Sequence, residues 1–138
     1  MARILVVDSN ILFSFFWKKS VTRNIIQQKK FVCISPEFAL EEIERYQDEI
    51  STKTLIAEKE FYQQLEELKD LVRFIPCQDY SEFIKEATKI SPDINDSDFF
   101  ALALKASSPI WSNDSDLKKQ DRITILNTGE IMDLLDQI

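Results

Sequence analysis

The most informative stretch of the chain is Ile4-Leu5-Val6-Val7-Asp8-Ser9-Asn10-Ile11-Leu12. Its first four residues form an apolar run that is typical of a buried strand, and its last residues begin a helical pattern. Asp8 stands where the predicted strand stops. In open α/β sheets, binding and catalytic groups collect at the carboxyl ends of strands, where adjacent loops diverge and leave a crevice. We therefore expect Asp8 to be a functional residue.

Short β-branched or aromatic runs recur along the chain between longer helical patterns. The predicted strands are Arg3–Val7, Phe31–Ile34, Val72–Ile75, Ile110–Ser112 and Ile123–Leu126. The predicted helices are Ile11–Trp17, Val21–Lys30, Pro36–Ile50 with Ser35 as its N-cap, Thr54–Leu71, Ser81–Ile90, Ser97–Ala106 and Glu130–Gln137. Strands that alternate with helices predict βαβ crossovers and a parallel sheet. The expected fold class is α/β, with a central parallel sheet of about five strands, and a length of 138 residues fits a single domain, 1–138.

The residue types that are missing narrow the chemistry. The chain has no histidine, which excludes histidine general bases and Ser-His-Asp triads. Its single glycine, Gly129, excludes P-loop and GxGxxG nucleotide cradles. Cys33 and Cys77 are too few for a four-thiolate metal site, and we expect both to be buried free thiols in strands.

The sequence shows no sign of a membrane or secretory role. None of its apolar runs approaches the roughly 20 residues that a transmembrane helix needs. The start Met1-Ala2-Arg3-Ile4-Leu5 lacks the long apolar core and cleavage site of a secretory signal. We expect a cytoplasmic protein with no membrane partner.

The net charge of −7 opposes the binding of a polyanion by bulk electrostatics, because nucleic-acid affinity depends on lysine and arginine. A nucleic-acid role would need a local basic patch or bound cations. The first candidate patch contains Lys18, Lys19, Arg23, Lys29 and Lys30, and the second contains Lys118, Lys119 and Arg122. Carboxylates are abundant, with 24 Asp and Glu residues, and their hard oxygens suit Mg²⁺ or Mn²⁺.

Helical-wheel positions single out two acids. In the helix predicted from Pro36, Glu42 falls within an apolar stripe, whereas Glu41 projects away from it. An ionised glutamate that faces the core is costly unless it is paired or bound to metal. In the helix near Asp96, that residue lies on the apolar side and Asp98 on the polar side, although Asp96 would also serve as an ordinary N-cap.

A further acidic turn, Ser112-Asn113-Asp114-Ser115-Asp116, follows the predicted strand at Ile110. On its own it reads as an Asx-turn or a helix cap. Parallel strands bring their carboxyl ends to one edge of the sheet, so Asp114 is expected to meet Asp8 there. Like charges gathered in one pocket repel, and a divalent cation is the simplest way to neutralise them. A pocket of Asp8, Glu42, Asp96 and Asp114 with bound Mg²⁺ or Mn²⁺ is suited to phosphodiester hydrolysis.

The acidic segments, taken in order, resemble the four acidic motifs of the PIN domain family, which includes the VapC-type toxins. They are Val7-Asp8-Ser9-Asn10-Ile11-Leu12, Glu41-Glu42-Ile43, Asp96-Ser97-Asp98-Phe99-Phe100-Ala101-Leu102-Ala103 and Ser112-Asn113-Asp114-Ser115-Asp116-Leu117. By resemblance, Asp8, Glu42, Asp96 and Asp114 are the catalytic metal ligands. Asp116 is an accessory acid, and Asn10 and Ser112 are supporting polar residues.

The resemblance implies a PIN-like three-layer α/β/α fold and Mg²⁺- or Mn²⁺-dependent cleavage of RNA. It also implies frequent homodimers and, for a toxin, neutralisation by an antitoxin protein. The aromatic cluster of Phe13, Phe15, Phe16 and Trp17 suits either a partner surface or the core. The alternative function is a PIN-like module that binds RNA or protein without cutting it. The choices between Glu41 and Glu42, and between Asp96 and Asp98, stay open at this point.

Overall fold

A five-stranded parallel sheet forms the centre of the computed structural model, which describes residues 3–137. The strands are β1 (Arg3–Val7), β2 (Phe31–Pro36), β3 (Val72–Ile75), β4 (Ile110–Trp111) and β5 (Ile125–Leu126). Their order in the sheet is β3-β2-β1-β4-β5, and every pairing is parallel. From β1, the chain adds β2 and β3 on one side of the sheet. It then returns to the other side of β1 and adds β4 and β5. The gap between β1 and β4 is the topological switch point, where such sheets form a crevice.

Helices precede and follow the strands. They are α1 (Ser9–Ser14), α2 (Val21–Gln27), α3 (Glu37–Arg45), α4 (Gln47–Thr54), α5 (Glu58–Leu71), α6 (Ile84–Ile90), α7 (Ser97–Ala106) and α8 (Thr128–Asp136). Short 3-10 turns occur at Cys77–Asp79, Ser81–Phe83, Ile94–Asp96 and Ser115–Lys119. The predicted α/β/α fold class with a parallel sheet is confirmed. Across residues 3–137, the structure has no helix of the length and apolarity that a bilayer crossing requires.

The core lies on both faces of the sheet and explains why the apolar runs form strands. Leu5, Val6 and Val7 are buried, as expected for a central parallel strand that helices cover on both sides. Phe100 of α7 and Trp111 of β4 are fully buried in the same cluster. Each such side chain contributes roughly 1.5–3 kcal/mol through burial. Among the N-terminal aromatics, Phe15 and Phe16 belong to this core, while Trp17 is 41% exposed.

The junction after β2 differs from the prediction. The strand continues through Ser35 and Pro36, and Pro36 rather than Ser35 occupies the N-cap of α3. The Ser35 hydroxyl donates to the Val7 carbonyl at 2.9 Å, so it joins two strands instead of capping a helix. Pro36 is tolerated because it is the last residue of the strand.

The single helix predicted for Pro36–Ile50 is wrong, because the chain turns at Tyr46. Tyr46 has φ −99° and ψ 24°, which separates α3 from α4. Helix α3 contacts β2 and β3, whereas α4 contacts α5. The two segments bury their apolar residues against different neighbours, so one straight helix cannot serve both.

Several other boundaries move for local reasons. Lys29 adopts a left-handed conformation, with φ 57°, and α2 ends at Gln27 instead of Lys30. Leu55 is also left-handed, with φ 61°; it ends α4, so the helix predicted from Thr54 begins only at Glu58. Strands β4 and β5 are two residues each, shorter than predicted. Helix α8 begins at Thr128, because Asn127 and Glu130 form a capping box. Cys33 is buried as predicted, but Cys77 lies exposed in a 3-10 turn instead of a buried strand.

Candidate active site

Asp8 lies at the switch point, where β1 ends and α1 begins. Its side chain is 7% exposed, and its Oδ2 accepts a hydrogen bond from the Ser112 hydroxyl at 2.7 Å. The Ser112 Oγ in turn accepts a hydrogen bond from the backbone N–H of Asp114 at 3.1 Å. Ser112 therefore links the carboxyl ends of two neighbouring strands. The register that pairs Val7 with Trp111 is what brings these residues side by side.

The surroundings of Asp8 make its ionised form costly. Burial raises the pKa of Asp8, and the nearby Asp114 charge raises it further. Hydrogen bonds from Ser112 and from the backbone N–H groups of Ser9 and Asn10 act in the opposite direction. The pKa is raised overall, so burial outweighs this stabilisation. A carboxylate held in this way benefits from a nearby cation.

Asp96 comes to the same region from the other side of the crevice. It ends the 3-10 turn Ile94–Asp96 and stands at the N-cap position of α7, but its side chain makes no capping hydrogen bond. The pKa of Asp96 is raised to about 6, first by burial and then by the charges of Asp8, Asp93 and Asp114. The ordinary role of an N-cap therefore does not explain this residue. Asp96 and Asp114 line one cavity, and Ser112 joins Asp8 to Asp114, so we call these three acids the acid pocket.

Asp114 and Asp116 differ in their contacts. Asp114 Oδ1 accepts the backbone N–H of Asp116 at 3.0 Å, which is the Asx-turn that the sequence suggested. Asp116 is exposed and forms an ion pair with Lys119 at 3.1 Å. Both acids line a cavity of about 340 Å³ together with Asp96. Asp114 thus combines a turn-forming role with a place in the acid pocket, whereas Asp116 lies at its rim.

The second helical acid is not brought into this group. Glu42 is half-buried on α3, as its wheel position suggested, and Glu41 is exposed. Glu42 is not among the charges that shift the pKa of Asp8 or Asp96. Glu41 lines a groove of about 510 Å³ with Asp98, and we call this the carboxylate groove. The choice of Glu42 over Glu41 as a metal ligand therefore stays a prediction.

Asp98, which the wheel placed on the polar side of α7, is covered by another part of the chain. Asp98 is half-buried, and its Oδ2 accepts a hydrogen bond from the Tyr80 hydroxyl at 2.6 Å. Tyr80 is buried, and burial followed by the hydrogen bond to Asp98 raises the pKa of its phenol strongly. Asp98 therefore anchors the turn before α6 onto α7. The helical wheel could not predict this hydrogen bond, because Tyr80 lies 18 positions before Asp98 and outside its helix.

Two residues of this region escaped the sequence analysis. Tyr80 covers Asp98, and Asp93 raises the pKa of Asp96 while its side chain accepts the Asn95 backbone N–H at 2.9 Å. An Asx-turn signal was present in Asp93-Ile94-Asn95. For Tyr80 the only local signal was a large aromatic residue in a polar stretch.

The donor set of the acid pocket fits a divalent cation. Asp8, Asp96 and Asp114 take part in none of the ion pairs formed within residues 3–137. Three carboxylates without basic partners are the hard oxygen ligands that Mg²⁺ and Mn²⁺ prefer. Over the same residues, no three acidic or cysteine side chains already stand close enough to enclose an ion. Binding would thus require the carboxylates to draw together.

The two candidate basic patches behave differently. In the second patch, Lys118 pairs with Glu130, Lys119 with Asp116 and Arg122 with Glu86. The pKa of Glu130 is lowered, mainly by its hydrogen bond with Lys118. In the first patch, the Arg23 guanidinium donates to the carbonyls of Phe15, Trp17 and Lys18. Lys18 and Lys19 are exposed and form no ion pair with a described residue. Of the two patches, it is therefore the first, which follows α1, that keeps exposed lysines outside the ion pairs of the described residues.

The protein therefore belongs to the class of α/β proteins that have a polar crevice at the switch point of a parallel sheet. Comparison with protein-family models gave a match to the PIN domain over residues 6–128. The chain belongs to the PIN domain family, whose members are generally nucleases. A comparison with curated protein sequences found no significant match.

Proposed function

We propose that the protein is a metal-dependent endoribonuclease that hydrolyses phosphodiester bonds of RNA in the acid pocket. The observation that carries this proposal is that Asp96 and Asp114 line one cavity, while Ser112 is hydrogen-bonded to both Asp8 and the backbone of Asp114. None of the three acids takes part in an ion pair within residues 3–137. Membership of a family of nucleases supports the reaction class. The pocket lies at the switch point, where substrates of α/β folds bind.

The side chains proposed to hold Mg²⁺ or Mn²⁺ are Asp8, Asp96 and Asp114, with Glu42 as a ligand directly or through water and Asp116 as an accessory acid. When bound, such an ion lowers the pKa of water and stabilises negative charge on the phosphate oxygens. Ser112 holds Asp8 in place through its hydroxyl and fixes Asp114 through its backbone contact. Asn10 extends from α1 beside the pocket and is proposed as a polar contact to the substrate.

We further propose that the protein acts as the toxin of a toxin–antitoxin pair, as a single-domain homodimer in the cytoplasm. The support is the resemblance of its motifs to those of VapC-type toxins. Exposed apolar side chains are also available for partner proteins, among them Val21 (53% exposed) and Tyr62 (48% exposed).

The test is cleavage of single-stranded RNA by the purified chain and by the Asp8→Asn and Asp96→Asn variants. Wild-type activity should require Mg²⁺ or Mn²⁺, disappear with EDTA and return with excess metal. Each variant should lose more than about 100-fold in kcat, beyond the 10- to 100-fold typical of a lost supporting contact. Asp133→Asn is the matched control, because Asp133 is an exposed acid on α8. Unchanged cleavage by both variants would reject the assignment.

A second candidate function is a PIN-like module that binds RNA or protein without cleavage. The separation of the carboxylates and the net charge of −7 favour it. It predicts a stable complex and no cleavage of varied RNAs at millimolar Mn²⁺. The cleavage assay above, repeated with Mn²⁺ alone, distinguishes the two functions.

A further inference from the structure

A cleft of about 520 Å³ lies beside the start of α1 and is separate from the cavity that holds Asp96 and Asp114. We call it the aromatic cleft. Its walls include Asn10, Phe13, Trp17, Tyr46, Glu49 and Lys53. Its volume is typical of clefts that hold small organic groups. Asn10, in the wall of the cleft, follows Asp8 of the acid pocket by two residues.

Two aromatic rings in this cleft remain accessible. Trp17 is 41% exposed and Tyr46 is 38% exposed, in a chain whose other tryptophan, Trp111, is fully buried. The indole N–H of Trp111 donates to Thr128 at 3.1 Å, whereas Trp17 takes part in hydrogen bonds through its backbone carbonyl. Exposed aromatic faces next to polar side chains are the usual platforms for unpaired nucleobases.

The turn that presents Trp17 is held firmly. The Arg23 guanidinium donates to the Trp17 carbonyl at 2.9 Å and to the Lys18 carbonyl at 3.0 Å. The Ser20 hydroxyl donates to the Ser14 carbonyl at 2.7 Å. These contacts fix the backbone before any ligand arrives, which reduces the entropy lost on binding.

The charges favour an RNA strand with a base, rather than a phosphate, inside the cleft. Lys53 and Glu49 lie in the wall together, so the interior has no net excess of positive charge. Lys18 and Lys19 follow Trp17 and are exposed outside the cleft, where a phosphate backbone would pass. The Asn10 amide and the Glu49 carboxylate offer the donor and acceptor groups that read base edges.

We propose that the aromatic cleft binds an unpaired nucleobase of the RNA strand next to the bond that is cut, with stacking on Trp17 and Tyr46. This inference rests on the proposed function for the position of the scissile bond. The stacked base would make the protein select single-stranded over duplex RNA, because a paired base cannot enter the cleft.

The test measures RNA binding separately from cleavage. Full-length Asp8→Asn protein with millimolar Mg²⁺ is titrated with a 12-nucleotide single-stranded RNA of mixed sequence, and tryptophan emission is recorded. Because Trp111 is buried, quenching reports on Trp17. The same titration uses a strand of equal length without bases, and a duplex. A gel confirms that the RNA stays intact.

Adding Trp17→Ala or Tyr46→Ala should weaken binding of the normal strand by about 5- to 150-fold, the range for loss of one stacked base; fluorescence anisotropy of labelled RNA gives the affinities. Trp17→Phe and Tyr46→Phe should retain most of the affinity. Tyr62→Ala, which removes an exposed tyrosine outside the cleft, should leave binding unchanged. The abasic strand should bind weakly to all variants alike.

Equal RNA affinity of Trp17→Ala, Tyr46→Ala and the parent would overturn the proposal and leave the cleft to a protein partner. Equal losses for the normal and abasic strands would also overturn it, because the cleft would then contact only the backbone. Circular dichroism checks that each variant is folded, and the phenylalanine variants keep the test valid if an alanine variant is not. Base-dependent binding by a wild-type protein that never cleaves RNA would contradict the proposed function alone.

Discussion

The acid pocket includes Asp8, which precedes α1, and the aromatic cleft includes Asn10 of α1, yet the two sites are built in opposite ways. In the acid pocket, burial and neighbouring negative charges raise the pKa values of Asp8 and Asp96. The aromatic cleft consists of exposed rings and a balanced pair of charges, Lys53 and Glu49. The acid pocket suits a reaction in which charge changes, whereas the aromatic cleft suits binding of a ligand without a change of charge. Substitutions in the pocket should therefore lower kcat, and substitutions in the cleft should raise KM.

The largest difference is expected between Asp114 and Asp116, neighbours in one turn. Asp114→Asn should lower kcat by more than about 100-fold, because the variant removes a proposed metal ligand, beyond the cost of a supporting contact. Asp116→Asn should lower kcat by less than about 10-fold, because Asp116 is exposed and already paired with Lys119. Steady-state cleavage at saturating Mn²⁺ measures both. Equal losses of kcat in the two variants would mean that Asp116 is as important for the reaction as Asp114.

The next comparison decides between the two helical glutamates. Glu42→Gln should lower kcat by about 10- to 100-fold, the effect expected for a ligand that acts through water. Glu41→Gln should have little effect on kcat, because Glu41 lines the carboxylate groove instead. Isothermal titration with Mn²⁺ gives an independent measure of metal affinity. The reverse result would move the site toward Asp98 and the carboxylate groove.

Ser112→Ala should cost about 10-fold in kcat or metal affinity, at the lower end of effects for residues that orient a ligand. The variant removes the hydrogen bond that restrains Asp8, and Ser112→Thr should restore most of the activity. Ser108→Ala is the matched control, because Ser108 is also buried and its hydroxyl has no hydrogen-bond partner among residues 3–137. A loss as large as that of Asp8→Asn would instead show that Ser112 contacts the substrate.

The pH dependence should follow Asp96. Its folded pKa of about 6 lies above the ordinary aspartate value of 3.8, so the folded protein binds a proton more tightly than the unfolded chain. The stability of the metal-free protein should therefore fall as the pH rises between these two values. Metal binding needs the ionised form, so kcat/KM should fall as the pH drops below about 6.

Asp93→Asn provides a sharper test of this titration. It removes one of the charges that raise the pKa of Asp96, so the inflection in kcat/KM should move to lower pH. The measurement is a pH–rate profile at constant ionic strength, together with urea unfolding in EDTA. A profile that does not move would assign the inflection to a different group.

The smallest effect is expected in the aromatic cleft. Lys53→Ala should raise KM a few-fold with kcat unchanged, because Lys53 is in the wall of the proposed base-binding cleft. It should leave the salt dependence of RNA binding nearly unchanged, because no phosphate is proposed to enter the cleft. Lys89→Ala, an exposed lysine of α6 far along the chain, is the control. A fall in kcat would show that the cleft also takes part in the reaction.

Local patterns in the sequence predicted the bounds of three elements, β1, β3 and α7. Short runs rich in β-branched and aromatic residues indicated the two strands, and a broad apolar face indicated the helix. The position of Asp8 after β1 was predictable for the same reason. For Asp8 and Asp114 the sequence offered an expectation about strand ends, and for Asp96 a helical-wheel position; the metal site formed by them stays a prediction.

Only the tertiary structure decided the junctions and the partners of polar groups. Ser35 extends β2 because the Val7 carbonyl is within reach of its hydroxyl, and that contact spans 28 positions of sequence. Asp98 is half-buried because Tyr80 covers it, 18 positions away.

The sequence by itself determined the class of fold, the first strand and the acid that follows it, because apolar periodicity is a local property of the chain. The order of the strands, the break at Tyr46 and the separation of the acid pocket from the carboxylate groove came only from tertiary structure. These features depend on contacts between residues that are distant in sequence, and no local pattern encodes them.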